Sequence, residues 1–289
     1  MQLSLIEQAL LIIMISGLMI GIGSSISKNE IIELKHHKLD FLIALVLQYI
    51  MMPCWAIVLG KTLNLPTNIS FTLLLIACCP SGTTSNMFTY FSKGNVSFSL
   101  ALTTLTSLLA FFMTPLLLSF YAKESRVDIP AANIFATVSL TLIPIFIGFF
   151  ININSKSWGS KVNRYGNFMG HLAVFIMILI WTPKILNVMR DYETVQFLSI
   201  GVMSLVAIFF TAFICFVIRR PFAESKTIAL ETGIQNAPLA FLIVQVNYTQ
   251  ELVDEVGWVP LVYGALSVVS AIIFTLASGV VGYYQTQKR

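Results

Sequence analysis

Two polar clusters interrupt stretches of this chain that are otherwise apolar. One reads Cys79-Pro80-Ser81-Gly82-Thr83-Thr84-Ser85-Asn86, the other Glu231-Thr232-Gly233-Ile234-Gln235-Asn236-Ala237-Pro238. Pro80 lacks an amide donor, and Gly82 and Gly233 permit unwound backbone. Unwound backbone frees carbonyl oxygens, which can coordinate a cation, and leaves half-helix N-termini, which suit an anion. Glu231 is central to this chemistry. Apolar Ile228 and Leu230 precede it, and Gln235 follows one turn later. A carboxylate at mid-membrane depth costs about 2.5–3.5 kcal/mol on insertion scales. No lysine or arginine occupies a core position to neutralise it, so a bound cation or a proton must.

Other intramembrane residues add oxygens. Gln48 stands just before Pro53, and Ser99, Thr103, Thr104 and Thr106 lie along one apolar stretch, with Ser99 and Thr103 sharing a helix face. Singly, such hydroxyls bond their own backbone. As a set converging with Glu231, they are expected to form an all-oxygen site of the kind hard cations take. An intramembrane enzyme is the alternative from another class. It would need a nucleophile beside a base. His36, His37 and His171 are remote in sequence from Glu231, Ser81 has no evident base, and no HExxH or GxSxG motif occurs. A channel would need a ring of carboxylates, and one acid per chain forms none without oligomerisation.

The elements that must position these residues follow from composition. The 289-residue chain is 57% hydrophobic and 10% charged, with a mean hydropathy of +0.85. Soluble domains carry about 25% charged residues, so an ordinary water-soluble fold is excluded. The short alternating strands of a membrane β-barrel are missing as well. The chain reads as an all-α, polytopic helical membrane protein with about nine spans. They fall at about 4–23, 40–60, 70–91, 96–121, 130–152, 168–188, 196–218, 225–247 and 258–283. The first run is expected to remain as a span, since no signal-type cleavage site follows it. Cys54, Cys78, Cys79 and Cys215 lie in apolar stretches and read as small buried residues. Gly17 and Gly21 fit a helix-packing face.

Basic residues orient the spans. Lys28, Lys35, Lys38, Lys93, Lys156, Lys161, Arg164, Arg219, Arg220, Lys226, Lys288 and Arg289 fall on one side. Lys61, Lys123, Arg126 and Arg190 fall on the other, with Lys184 near a span end. The N-terminus is therefore expected outside and the C-terminus in the cytoplasm of a plasma membrane, the inner membrane if the source is bacterial. Spans 3 and 8 carry the two interruptions and cross in opposite directions. Paired breaks of this kind are what an inverted-repeat transporter predicts. If the first span of the first repeat is missing, spans 1 to 4 match spans 6 to 9 and span 3 pairs with span 8.

At these residues the chain resembles the bile acid:sodium symporter family. The match includes Leu63-Asn64-Leu65-Pro66, the Cys78–Asn86 run, Thr89-Tyr90, Lys93-Gly94-Asn95-Val96, Gln48 before Pro53, and the Glu231–Asn236 run. The resemblance covers nearly the whole chain and is similar to the family's nine-span branch. It implies a panel of spans 1, 5 and 6, a core of the other spans, and a crossing of spans 3 and 8 at their breaks. It implies two sodium ions. One would be held by Ser85, Asn86, Ser99, Thr103 and Glu231, the other by Gln48, Glu231, Thr232, Ile234 and Gln235, with Thr232 and Ile234 acting through carbonyls. It further implies symport of an organic anion, either bile acid-like or a small carboxylate such as pantoate or a keto acid. Thr83 and Asn236 would contact that anion between core and panel. A monomer without a nucleic-acid partner is expected. A proton-coupled carrier, with Glu231 titrating, is the nearest alternative.

Overall fold

The computed structural model describes residues 4–26, 32–33, 35–121, 131–188 and 194–287. Of the residues used for orientation, Lys28, Lys123, Arg126, Arg190, Lys288 and Arg289 lie outside the described residues. The fold is all-helical. Helix α1 covers Leu5–Ser25, α2 Lys38–Thr62, α3 Thr67–Ala77, α4 Thr84–Phe91, α5 Val96–Tyr121 and α6 Ala131–Asn154. Helix α7 covers Lys156–Val188, α8 Thr194–Val217, α9 Phe222–Gly233, α10 Ala237–Asn247, α11 Gln250–Val256 and α12 Trp258–Gln287. Among the described residues the sole β element is an isolated antiparallel bridge between Ser81 and Gln235.

Among the described residues, seven segments are long and apolar enough to cross a membrane, one of them α11 continued into α12. The expectation of about nine spans counted two more, at about 70–91 and 225–247. In each, the chain forms a pair of short helices instead, α3 with α4 and α9 with α10. Pro80 ends the first run because it cannot donate, and Pro238 sits in the first turn of α10, where no donor is required. Helix α7 begins at Lys156, well before the expected start at about 168. Its first turns carry Lys161, Arg164, Asn163 and Asn167, which lowered the hydropathy of that stretch. His171 therefore lies near the middle of a helix rather than near its beginning.

Packing is closest where side chains are smallest. A Cβ on Gly17 would come within 2.8 Å of the Gly166 carbonyl, and one on Gly23 would collide with the carbonyl of Ile145. Helix α1 thus lies tight against α7 and α6, as the Gly17–Gly21 spacing predicted for at least one neighbour. Helix α8 packs on α9 and α12, and α10 packs on α12. The largest apolar cluster joins α2, α3, α8, α10 and α12 around Met52, Leu73, Met203, Ile243 and Tyr263. Cys78, Cys79 and Cys215 are buried as expected, whereas Cys54 is exposed on an outer face of α2, where a thiol remains compatible with apolar surroundings.

Candidate functional site: an oxygen-lined crossing of two broken helices

The two interruptions meet. The Gly82 amide donates to the Ile234 carbonyl and the Asn236 amide to the Pro80 carbonyl, both at 2.8 Å. Gly82 makes this approach possible: a Cβ there would stand 2.8 Å from the Gln235 oxygen and 3.2 Å from its carbonyl carbon. Among the described residues no glycine has a positive φ. Gly82 and Gly233 are therefore required for closeness and not for a left-handed torsion angle. A Cβ on Gly233 would likewise collide with Ile208 of α8.

The carbonyls released at the breaks find donors from other elements. Thr114 Oγ1 donates to Cys78 O at 2.8 Å, Gln48 Nε2 to Cys79 O at 2.8 Å, and Ser81 Oγ to Glu231 O at 2.6 Å. Gly233 O accepts twice, from Ser204 Oγ at 2.7 Å and Tyr263 OH at 3.0 Å. Buried polar backbone is tolerable only when paired in this way. Thr114, Ser204 and Tyr263 were not singled out from sequence. Each is a lone hydroxyl on an apolar helix, and its target lies tens of residues away.

Glu231, on α9, is 3% exposed and accepts from three hydroxyls. Ser85 Oγ of α4 donates to Oε1 at 2.6 Å, Ser99 Oγ of α5 to Oε1 at 2.5 Å, and Thr103 Oγ1 to Oε2 at 2.9 Å. Asn86 Oδ1 lies 2.8 Å from Ser99 Oγ and 3.3 Å from Thr103 Oγ1. The five residues expected around one cation thus converge. Among the described residues, no lysine, arginine or histidine lies within ion-pair distance of Glu231. Thr104 and Thr106 do not join the set: Thr104 lines a neighbouring cavity, and Thr106 bonds the Thr103 carbonyl within α5. Their positions on the helix turn them away from the acid.

Gln48 and Gln235 form a second centre. Their amides pair reciprocally, with Gln48 Nε2 to Gln235 Oε1 at 2.7 Å and Gln235 Nε2 to Gln48 Oε1 at 3.3 Å. Gln235 Nε2 also donates to Thr232 O at 2.6 Å, and the buried Thr232 Oγ1 has no hydrogen-bond partner. Gln48 sits in a π-turn, Leu47–Met51, immediately before Pro53. Widening the helix there relieves the clash between the proline ring and the Tyr49 carbonyl, and such turns gather at functional sites. The Glu231 carboxylate makes its hydrogen bonds to the first set only.

Two cavities flank the crossing. The larger, about 410 Å³, is bounded by Gly82, Thr83, Asn236 and Pro238 and by apolar Met14, Leu18, Phe175, Ile178, Leu261 and Val268. The smaller, about 250 Å³, is bounded by Thr83, Asn86, Thr103, Asn163 and Asn167. Thr83 precedes α4 and Asn236 caps α10, accepting from the Leu239 amide at 3.0 Å. Both expected anion contacts therefore stand at helix N-termini, where partial positive charge gathers.

Elsewhere, Asp40, in the first turn of α2, is 2% exposed. Arg220 clamps it with Nε at 2.6 Å and Nη2 at 2.9 Å. The hydrogen bond to Asp40 in turn raises the Arg220 guanidinium above its ordinary value.

Comparison with known proteins decides the family. The family model described as "Sodium Bile acid symporter family" matches residues 10–223. The chain belongs to that family. It is 27% identical over 292 residues to the human ileal sodium/bile acid cotransporter, covering 99% of this chain and 82% of that one. An uncharacterized sodium-dependent transporter of Bacillus subtilis is 27% identical over 240 residues, covering 80% and 72%. The human sodium-dependent organic anion transporter is 24% identical over 282 residues, covering 96% and 73%. As a member of the symporter family, the chain is a multi-pass membrane transporter and not an enzyme.

Proposed function

We propose that the protein is a sodium-coupled secondary active symporter that imports an organic anion by alternating access. The observation that carries this reading is the buried Glu231, held by hydroxyls of α4 and α5 with no basic side chain beside it. Such a carboxylate calls for a cation, and the surrounding donors are all oxygen. Sodium rather than a proton is favoured by Asn86, Gln48 and Gln235, neutral amides that a proton site does not require. One ion is assigned to Ser85, Asn86, Ser99, Thr103 and Glu231. A second is assigned to Gln48, Glu231, Gln235 and the carbonyls of Thr232 and Ile234.

In this reading the pairs α3–α4 and α9–α10 are each one broken span, giving nine spans, an external N-terminus and inverted repeats. Helices α1, α6 and α7 form the panel, and the remaining spans form the core. The anion's carboxylate faces the N-termini of α4 and α10, at Thr83 and Asn236, from the larger cavity. Sodium binding draws α4, α5 and α9 together and thereby sets the spacing of those N-termini. Movement of the core against the panel then exposes the anion to the other side. Two sodium ions with a monovalent anion carry net charge inward.

The test is uptake by proteoliposomes, after a thermal-shift screen of organic acids with and without sodium has identified a cargo. Uptake is expected to require sodium and to collapse in Glu231→Ala and Gln235→Ala. Undiminished uptake in sodium-free buffer across a pH gradient would replace this mechanism with proton coupling.

A further inference from the structure

His171 takes no part in the sodium sites proposed above. His171 lies on α7, and Thr83 and His171 are the two residues that border both cavities. Their side chains touch, with Thr83 Oγ1 and His171 Nε2 3.4 Å apart. The contact joins the crossing to the helix facing it and forms the partition between the cavities.

The orientation of the imidazole follows from its other nitrogen. His171 Nδ1 lies 2.7 Å from the Asn167 carbonyl, which can only accept, so Nδ1 carries a hydrogen. No aspartate or glutamate borders either cavity to favour an imidazolium. In the neutral ring Nε2 is then an acceptor. One turn earlier, Asn167 also borders the smaller cavity, and its buried Oδ1 has no hydrogen-bond partner. His171 Nε2 thus presents an acceptor on the α7 wall, whereas the crossing presents the Thr83 hydroxyl and the Asn236 side-chain amide as donors. A carboxylate suits the crossing and finds no donor in His171 Nε2. A hydroxyl or amide N–H on the same molecule suits the wall.

We propose that His171 is a specificity residue that accepts a hydrogen bond from the transported anion, so that, among acids sharing one apolar body, one bearing a hydroxyl or amide N–H is preferred. The proposal rests on the reading of the site as an anion symporter. Binding exchanges hydrogen bonds without losing any. Thr83 turns its hydroxyl from His171 to the carboxylate, and the substrate's own donor takes its place on Nε2. The apolar body fills the larger cavity against Leu18, Phe175, Ile178 and Leu261. A cavity of about 410 Å³ is of the size that takes a drug-sized ligand, so a small branched acid enters it with room to spare.

Three acids with one carbon skeleton test this: 3-methylbutanoate, 2-hydroxy-3-methylbutanoate and 2-oxo-3-methylbutanoate. Their affinities are measured calorimetrically on the purified full-length protein in saturating sodium. The 2-hydroxy acid is expected to bind roughly tenfold more tightly than the other two, the worth of one net hydrogen bond. In His171→Leu the three should agree within about twofold, and His171→Gln, which keeps an acceptor, should restore the preference. Equal binding of the three by the unaltered protein, binding of none, or a preference that survives in His171→Leu each overturns the proposal. The first two outcomes need no variant to fold. Sodium-induced thermal stabilisation, recorded without any acid, reports on the symporter reading separately. It should persist in His171→Leu, and its persistence in Glu231→Gln would overturn that reading whatever the acids show.

Discussion

Replacing Glu231 with glutamine separates charge from shape. Glutamine keeps one acceptor oxygen, and its amide can donate to the hydroxyls of Ser85, Ser99 and Thr103, which accept as readily as they donate. The substitution therefore removes one unit of negative charge from a site whose neighbours are hydroxyls. At about 4 Å and an effective dielectric near 20, that charge contributes about 4 kcal/mol to holding a cation. About 1.4 kcal/mol is tenfold in affinity, so half-saturating sodium should rise by roughly two to three orders of magnitude. Stability without sodium should move the other way, because an unneutralised acid at this depth costs about 2.5–3.5 kcal/mol. Thermal unfolding in detergent, with sodium exchanged for choline, reads both effects. Sodium at about 100 times its Kd stabilises a folded state by about 2.7 kcal/mol, which is of the order of 5–10 °C in Tm for a chain of this size. Wild type should show that rise. Glu231→Gln should show none, while unfolding in choline at the wild-type temperature or above it. A sodium-induced rise of normal size and midpoint in the variant would refute the assignment of Glu231 as the ion's charged ligand.

Gly82→Ala should lower Tm and abolish sodium-driven stabilisation, because its Cβ would press on the Gln235 carbonyl and part the crossing. A thermal melt with and without sodium checks this. Gln235→Leu strands the buried Gln48 amide, at about 1–3 kcal/mol. It should also reduce the Hill coefficient of sodium activation from near two toward one, whereas the Gln48→Leu, Gln235→Leu double variant should recover part of the lost stability in a double-mutant cycle. Asp40→Asn should destabilise by about 2–3 kcal/mol by removing the acid that Arg220 clamps, less than a fully buried pair would lose since Arg220 is partly exposed. Chemical unfolding of the two proteins side by side measures it.

Much of this arrangement was legible in the chain because the relevant signals are local. Pro80 and Pro238 lie at the breaks, and Glu231 stands out among apolar neighbours. Ser99 and Thr103 share a helix face by spacing alone. What was not legible depends on distance in sequence. Ser204 and Tyr263 are ordinary polar interruptions of apolar helices until the Gly233 carbonyl is placed between them. Asp40 meets Arg220 across the fold, a pairing hidden by a separation of 180 residues. Gly82 advertises backbone freedom in sequence, yet its role is to remove a side chain where two backbones meet. The start of α7 was missed for a related reason. Hydropathy counts Asn163 and Asn167 against a span, although they turn toward a cavity and not toward lipid.

The division of labour among the helices bears on how such a carrier diversifies. The hydroxyls, amides and acid at the crossing come from α2, α4, α5 and α9, whereas the apolar wall of the larger cavity comes from α1, α7 and α12. On the proposed assignment of the ions, substitutions on the wall leave the coupling residues untouched. A lineage can thus inherit one engine and refit it for new freight.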